Sequence, residues 1–379
     1  MERVGSSEQI GNHEQVLSDI KIKEERVHAF LEREDLDALV LGRQDNFAWL
    51  TAGGDNRVIT TSEMGFATLI ITRDRKWLVS YSMDGQRFID EQVPGQGYEL
   101  VTSYWHQASP EQKVLNLTRG MVVGADFALP GAQVYGSELV DLHYPLTDLD
   151  IERCRWIGLT ASRILTEVAH DLEPGMTEQE ISARLLYEYA LAGMTIDVLI
   201  VGFDERIRRY RHPIPAENKL QRYALLHPAA RRWGLHANVT RLVHFGEPPS
   251  DTRRAMDGAA TIGGHVARML APGVPFADIL AEQIRLYRVL GYSGEWMYHF
   301  QGGITGYTLA DATRCQDPEA RVVERQAYDY FITITGAKFE EFTLLTEDGP
   351  EFASLGPGWP VRTIRTPNGD TDVPDVLFR

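Results

Sequence analysis

The sequence predicts an α+β protein in two parts, a smaller N-terminal α/β domain followed by a larger domain made of two related halves. Three observations predict this. Short β-rich runs follow an opening helical segment as far as residue 149. From Asp150 onward, Ile151, Cys154, Ile157, Ala161, Ile164, Leu165 and Val168 recur at three- and four-residue steps, the period of a long amphipathic helix. Finally, Leu172-Glu173-Pro174-Gly175-Met176 returns 98 positions later as Leu270-Ala271-Pro272-Gly273-Val274.

Residues 1–18 read as a polar leader without the apolar stretch of a secretion signal. Residues 19–149 form the first expected domain, with a helix over 20–33 and a buried strand over 36–41 that stops at Gly42. Further strands are expected at 66–71 and 77–81, around a charged turn, and at 99–104 and 121–125. Residues 150–379 form the second domain. In its first half Thr177 and Glu180 make a capping box, in which two side chains satisfy orphan N–H groups of the opening turn. In its second half Pro275 takes the helix-start position. The two following helices end at Gly193 and Gly291, again 98 apart, so a pseudo-twofold domain with a cleft between its halves is expected.

Composition narrows the function. The chain carries 38 Lys and Arg against 54 Asp and Glu, a net charge of −16, the wrong sign for binding nucleic acid. Cys154 and Cys315 lie far apart and support neither a disulfide framework nor a paired-cysteine metal site. No apolar run is long enough to span a bilayer. A cytoplasmic protein with no membrane partner is expected. Gly-x-Ser-x-Gly, phosphate-loop, His-Glu-x-x-His and dinucleotide glycine motifs are all absent.

Four segments concentrate groups able to do chemistry. Tyr210-Arg211-His212-Pro213-Ile214-Pro215 holds His212 on a proline-stiffened path, as either acid–base material or a solvated loop histidine. The stretch from Tyr223 through His227, a turn from Pro228 to Arg232, and a return run ending at Arg241 read as a hairpin. Alternation sets His236, Asn238 and Thr240 on one face, which fits either a solvated face or the floor of a site. Glu295 to Tyr307 combines Glu295, His299, Gln301 and Tyr307 with three glycines that permit close approach of a ligand or of another chain segment. Near the end, Lys338, Glu340 and Glu341 separate two β runs; a buried carboxylate beside the lysine is functional, an exposed pair only solvates a turn.

Taken in order, the Arg-His-Pro segment, the Asn-Val-Thr-Arg hairpin end, the His-x-Gln-Gly-Gly-x-x-Gly-Tyr run and Phe-Glu-Glu-Phe-Thr-Leu-Leu-Thr-Glu-Asp-Gly resemble the creatinase, prolidase and aminopeptidase P superfamily. The likeness covers nearly the whole chain and is greatest to a bacterial aminopeptidase-like branch. It implies a creatinase-type N-terminal α/β domain and a C-terminal pita-bread domain. Metal-dependent members use two Asp, one His and two Glu. The resemblance carries these onto His227, Asn238, Phe300 or the adjacent His299, the neighbourhood of Phe331, and Glu340. Only Glu340 is clearly retained, and one carboxylate among neutral groups does not offset two dications. No metal and no cofactor are therefore expected.

Creatinase implies what such a pocket does instead, with a histidine as acid and base. His212 falls at that position and Glu340 becomes the anionic anchor or water-orienting group. Arg211, His227, His236, Asn238, Glu295, His299, Gln301, Tyr307 and Lys338 complete the expected substrate-binding set. Arg241 reads as structural. The leading expectation is a metal-independent hydrolase or lyase acting on an amide or guanidino-like C–N bond of a small amino-acid-like or short-peptide substrate. The alternatives are a catalytically inactive ligand-binding module and a single-zinc hydrolase using His227, His299 and Glu340. The resemblance also implies a homodimer, with the loop Gly53 to Arg57 reaching toward the partner.

Overall fold

The computed structural model describes residues 10–311 and 317–379. Cys315 and the first nine residues of the expected leader lie outside them. The chain divides into two compact units, one ending at Leu149 and also holding Trp233–Leu235, the other holding Asp150–Arg232 and His236–Arg379.

In the first unit the helix is longer than the periodicity predicts. It spans His13–Arg33, because Asn12 and Gln15 form a reciprocal capping box inside the stretch read as leader. Six strands follow in the order Glu99–Ser103, Lys76–Tyr81, Met64–Thr72, Ala38–Arg43, Val123–Ala125 and Gln133–Val134. Val40, Ile70, Val79 and Val114 meet in the core on one face of this sheet. The strand expected to stop at Gly42 continues through it. A Cβ there would collide with the Met64 side chain, so the glycine serves close packing rather than termination.

In the second unit the repeat is structural. Helices Glu178–Leu191 and Phe276–Val289 are both 14 residues long and begin 98 positions apart. Their entries match bond for bond. Gly175 N donates to Leu220 O and Gly273 N to Val322 O, both at 2.8 Å. Leu220 N and Val322 N return bonds to Met176 O and Val274 O, also at 2.8 Å. Gly175, Gly193, Gly273 and Gly291 all have positive φ, a conformation glycine adopts without a Cβ penalty. The Thr177–Glu180 capping box forms as expected, and Pro275 is the N-cap of the second helix.

The unit also holds a sheet built on Thr195–Phe203, Tyr223–Arg232 and Arg241–His244, and a sheet of Gly303–Thr305, Gln326–Asp329, Thr343–Thr346 and Gly349–Phe352. Two sequence expectations change here. Pro228 sits inside a ten-residue strand rather than opening a turn, contributing its carbonyl to Val239 N, which needs no proline N–H. The reversal comes later, at Trp233 and Gly234, where both φ angles are positive as a tight hairpin requires. Likewise Lys338 is not in a turn but in the strand Ala337–Phe339, paired with Ile332–Ile334. Helix Ser250–Met269 packs across this pair, and a Cβ at Gly263 would run into the Phe339 ring. That glycine lets the helix seat the strand carrying Lys338.

Candidate active site

His212 is positioned from both sides. The buried Glu178 carboxylate accepts Phe203 N and Ala216 N, each at 2.9 Å, and so brackets the segment that carries it. Pro213 packs against Gly202, where a Cβ would collide with the proline ring. His299 is held by the turn Glu295–Tyr298. Glu295 accepts from Thr335 N at 3.1 Å and from Thr335 Oγ1 at 2.9 Å, while Gln301 Nε2 donates to Trp296 O and His299 O. The two imidazoles meet at 2.9 Å, Nε2 to Nε2.

Their protonation follows from their partners. His299 Nδ1 lies 2.7 Å from the Phe300 carbonyl oxygen, which only accepts, so Nδ1 carries the proton. Burial, then the Lys338 charge, push the His299 pKa down to about 4, and the ring is neutral at neutral pH. Its Nε2 is then an acceptor, His212 Nε2 is the donor, and the His212 Nδ1 lone pair is left as the basic site. Burial and Lys338 also lower the His212 pKa, with Glu340 opposing them.

Behind this pair a cavity of about 130 Å³ is lined by His212, His227, Asn238, His299, Lys338 and Glu340 on its polar side. Val198, Ile200, Leu309, Phe300 and Phe331 supply apolar wall. Lys338 Nζ is 2.5 Å from Glu340 Oε2, and the two side chains are only 3 % and 2 % exposed. The ammonium also lies over the Phe331 ring, 5.7 Å from its centre. His227 Nε2 is 3.7 Å from Glu340 Oε1 and its Nδ1 is 3.1 Å from Thr240 Oγ1. Burial is the main cause lowering the His227 pKa, to about 3.

One participant escapes the sequence reading. Asp329 is 1 % exposed, accepts from Asn238 Nδ2 and shares a hydrogen bond with Glu340. Burial first, then the Glu340 charge, raise its pKa well above the carboxylate range. Glu340 moves the opposite way: burial opposes its ionisation, but His227, Lys338 and Asp329 outweigh that and hold it low. The pair is one carboxylic acid hydrogen-bonded to one carboxylate, as closely spaced carboxyls require. The resemblance drew attention to Phe331, two residues on in the chain. A lone Asp in the run Tyr328 to Ile332 was the available signal.

The other expected residues have protein partners and do not line this cavity. Arg211 Nη2 donates to Glu295, and to Thr335 Oγ1 at 3.3 Å. His236 binds Asp197 Oδ2 at 3.1 Å and Gly306 O at 2.8 Å. Gln301 clamps the turn that holds His299, and Tyr307 Oη donates to Asp150 at 2.6 Å. Gly302 has φ +105°, and a Cβ there would meet the backbone of Asp329 and Tyr330. At Gly302 the close approach is by another chain segment. Arg241 is fully buried against Glu341, with Ser162 Oγ and Ser354 O at 3.0 and 2.9 Å.

Residues 152–327 match a family model described as metallopeptidase family M24. No curated protein matches the chain. Among solved structures, dipeptidase PepE from Mycobacterium ulcerans aligns with TM-score 0.74 and 16 % identity, over 96 % of this chain and 98 % of that one. An Xaa-Pro dipeptidase from Bacillus anthracis aligns with TM-score 0.73 and 16 % identity, over 95 % and 100 %. A prolidase from Pyrococcus horikoshii OT3 gives 0.72 and 14 %, over 88 % and 98 %. At such identities the structural likeness shows the fold alone, and that fold is the pita-bread arrangement.

The residues present do not fit a pair of divalent ions. Among the described residues no three His, Cys, Asp or Glu side chains converge on a metal position. His227 and Asn238 carry no negative charge, and one oxygen of Glu340 is committed to an ammonium that would repel a dication. Nor does the three-residue zinc set come together, since His299 Nε2 faces His212 Nε2.

Proposed function

We propose that this chain, whose residues 152–327 match the metallopeptidase family M24 model and whose fold is that of prolidases and aminopeptidases, is a metal-independent hydrolase or lyase cleaving a C–N bond of a small amino-acid-like or short-peptide substrate. The observation that carries this reading is the hydrogen-bonded His212–His299 pair set beside the Lys338–Glu340 ion pair in one cavity. A base, a fixed cation and a water-orienting carboxylate are then present without a metal.

In the hydrolytic form, a water held by Glu340 Oε1 gives its proton to His212 Nδ1 as its oxygen attacks the carbonyl carbon. His212 Nε2–H stays bonded to His299 Nε2, which supports the positive charge that develops on the ring. Lys338 donates to the oxygen on which negative charge accumulates. The C–N bond then breaks, and the proton passes from His212 to the leaving nitrogen. One water is consumed, and a carboxylic acid and an amine are released. The base remains unchanged. His299 is a positioning residue here, acting through His212. The same reading takes the protein as a homodimer, as its resemblance implies.

The pH profile tests the base. His212 must be neutral to act, so kcat/KM falls as pH drops through its pKa, which burial and Lys338 place below the ordinary 6.5. An acid limb with its midpoint below 6.5 is expected. A midpoint above 6.5, or no acid limb, contradicts the assignment.

A further inference from the structure

Glu340 is the one carboxylate among the described residues lining the cavity, and it is already neutralised. Its Oε2 is on Lys338 Nζ at 2.5 Å, and its neighbour Asp329 lies against Asn238 and Glu340 with almost no exposure. Three imidazoles complete the polar wall, two joined by a hydrogen bond and the third, His227, buried beside Glu340 and Thr240. The rest of the wall is aliphatic and aromatic and includes Phe300, which is 69 % exposed. One full positive and one full negative charge thus face a small, mostly apolar space. A second cation brought there meets an ammonium before it meets an unpaired anion, at short range and low dielectric.

We propose that Lys338 is a tethered cation that satisfies the carboxyl floor of the pocket, so that the site takes an uncharged, carbonyl-bearing group of its substrate and excludes guanidinium groups and divalent metal ions alike. This rests on the hydrolase reading for its substrate. It narrows that reading to amides. The carbonyl oxygen faces Lys338, and the small apolar remainder of the acyl group meets Val198, Ile200 and Phe331. A guanidino substrate needs a free carboxylate, and Lys338 removes the one available.

The test is equilibrium binding, independent of turnover. The full-length protein and its Lys338→Met and Lys338→Arg variants are titrated calorimetrically at pH 8 with manganese chloride and with methylguanidinium chloride. Removing the ammonium leaves a buried carboxylate without its partner, and an added cation relieves that. Lys338→Met is expected to bind at least one of the two cations about 100-fold more tightly than the unmodified protein. Lys338→Arg keeps the charge and is expected to behave as the unmodified protein does. Lys338→Met binding neither cation more tightly overturns the proposal. A second comparison needs no variant: the unmodified protein is expected to bind N-acetylglycinamide in preference to methylguanidinium, and equal or reversed affinity overturns it. Loss of turnover in His212→Ala bears on the hydrolase reading instead, so the two failures are distinguishable.

Discussion

Replacing His212 with alanine is expected to lower kcat/KM on an amide substrate by about 10²–10⁴-fold, the range contributed by a positioned acid–base group. Melting temperature should barely change. The side chain is half-exposed, its one ring bond is to His299, and the surrounding segment is held by Glu178 and by the seat of Pro213 on Gly202. Neither anchor of the segment depends on the imidazole. His299→Ala separates positioning from catalysis. It removes the acceptor that fixes the His212 tautomer, so kcat should fall about tenfold or more with KM little changed, and the acid limb should shift. A His212→Ala protein with full activity removes His212 from the mechanism.

The second large effect concerns stability. Arg241→Met is expected to destabilise the protein by about 3–5 kcal/mol, read from denaturant unfolding, because it strands the Glu341 carboxylate in the core. Arg241 and Glu341 both have fully buried side chains. The guanidinium also satisfies Thr240 O, Ser162 Oγ and Ser354 O, and packs over Trp359 at 5.3 Å. Ser354 Oγ donates to Glu341 at 2.7 Å, so the loss propagates to a further buried hydroxyl. Replacing both charges, as in Arg241→Met with Glu341→Leu, is expected to recover much of the loss, since no unpaired charge then remains buried. A single variant as stable as the parent denies the pair its structural role.

The architecture was legible wherever it rests on local chemistry. The repeat could be read because glycines at 175, 193, 273 and 291 are required by backbone conformation, and the Thr177–Glu180 box because its partners lie three residues apart. The capping box at Asn12 and Gln15 was equally local but sat in a stretch dismissed for its polarity. Partnerships across long separations were not legible. Nothing in the sequence pairs Arg211 with Glu295, 84 positions on, or His236 with Asp197, so both residues looked available to a substrate. For Lys338 and Glu340 the sequence posed the right alternative, buried or exposed, and only tertiary burial decides it. Asp329 was hidden by register. It lies two residues before the Phe331 to which the resemblance pointed, and only the folded strand brings it to Glu340.

C–N bond cleavage without a metal can be tested on a single sample. The most direct measurement quantifies bound zinc, manganese, iron and cobalt in chelator-dialysed protein while following amine release from a panel of small amides by the same sample. Turnover with less than about a tenth of an equivalent of any metal bound is expected. Turnover that disappears on chelation and returns with one equivalent of a divalent ion would contradict it.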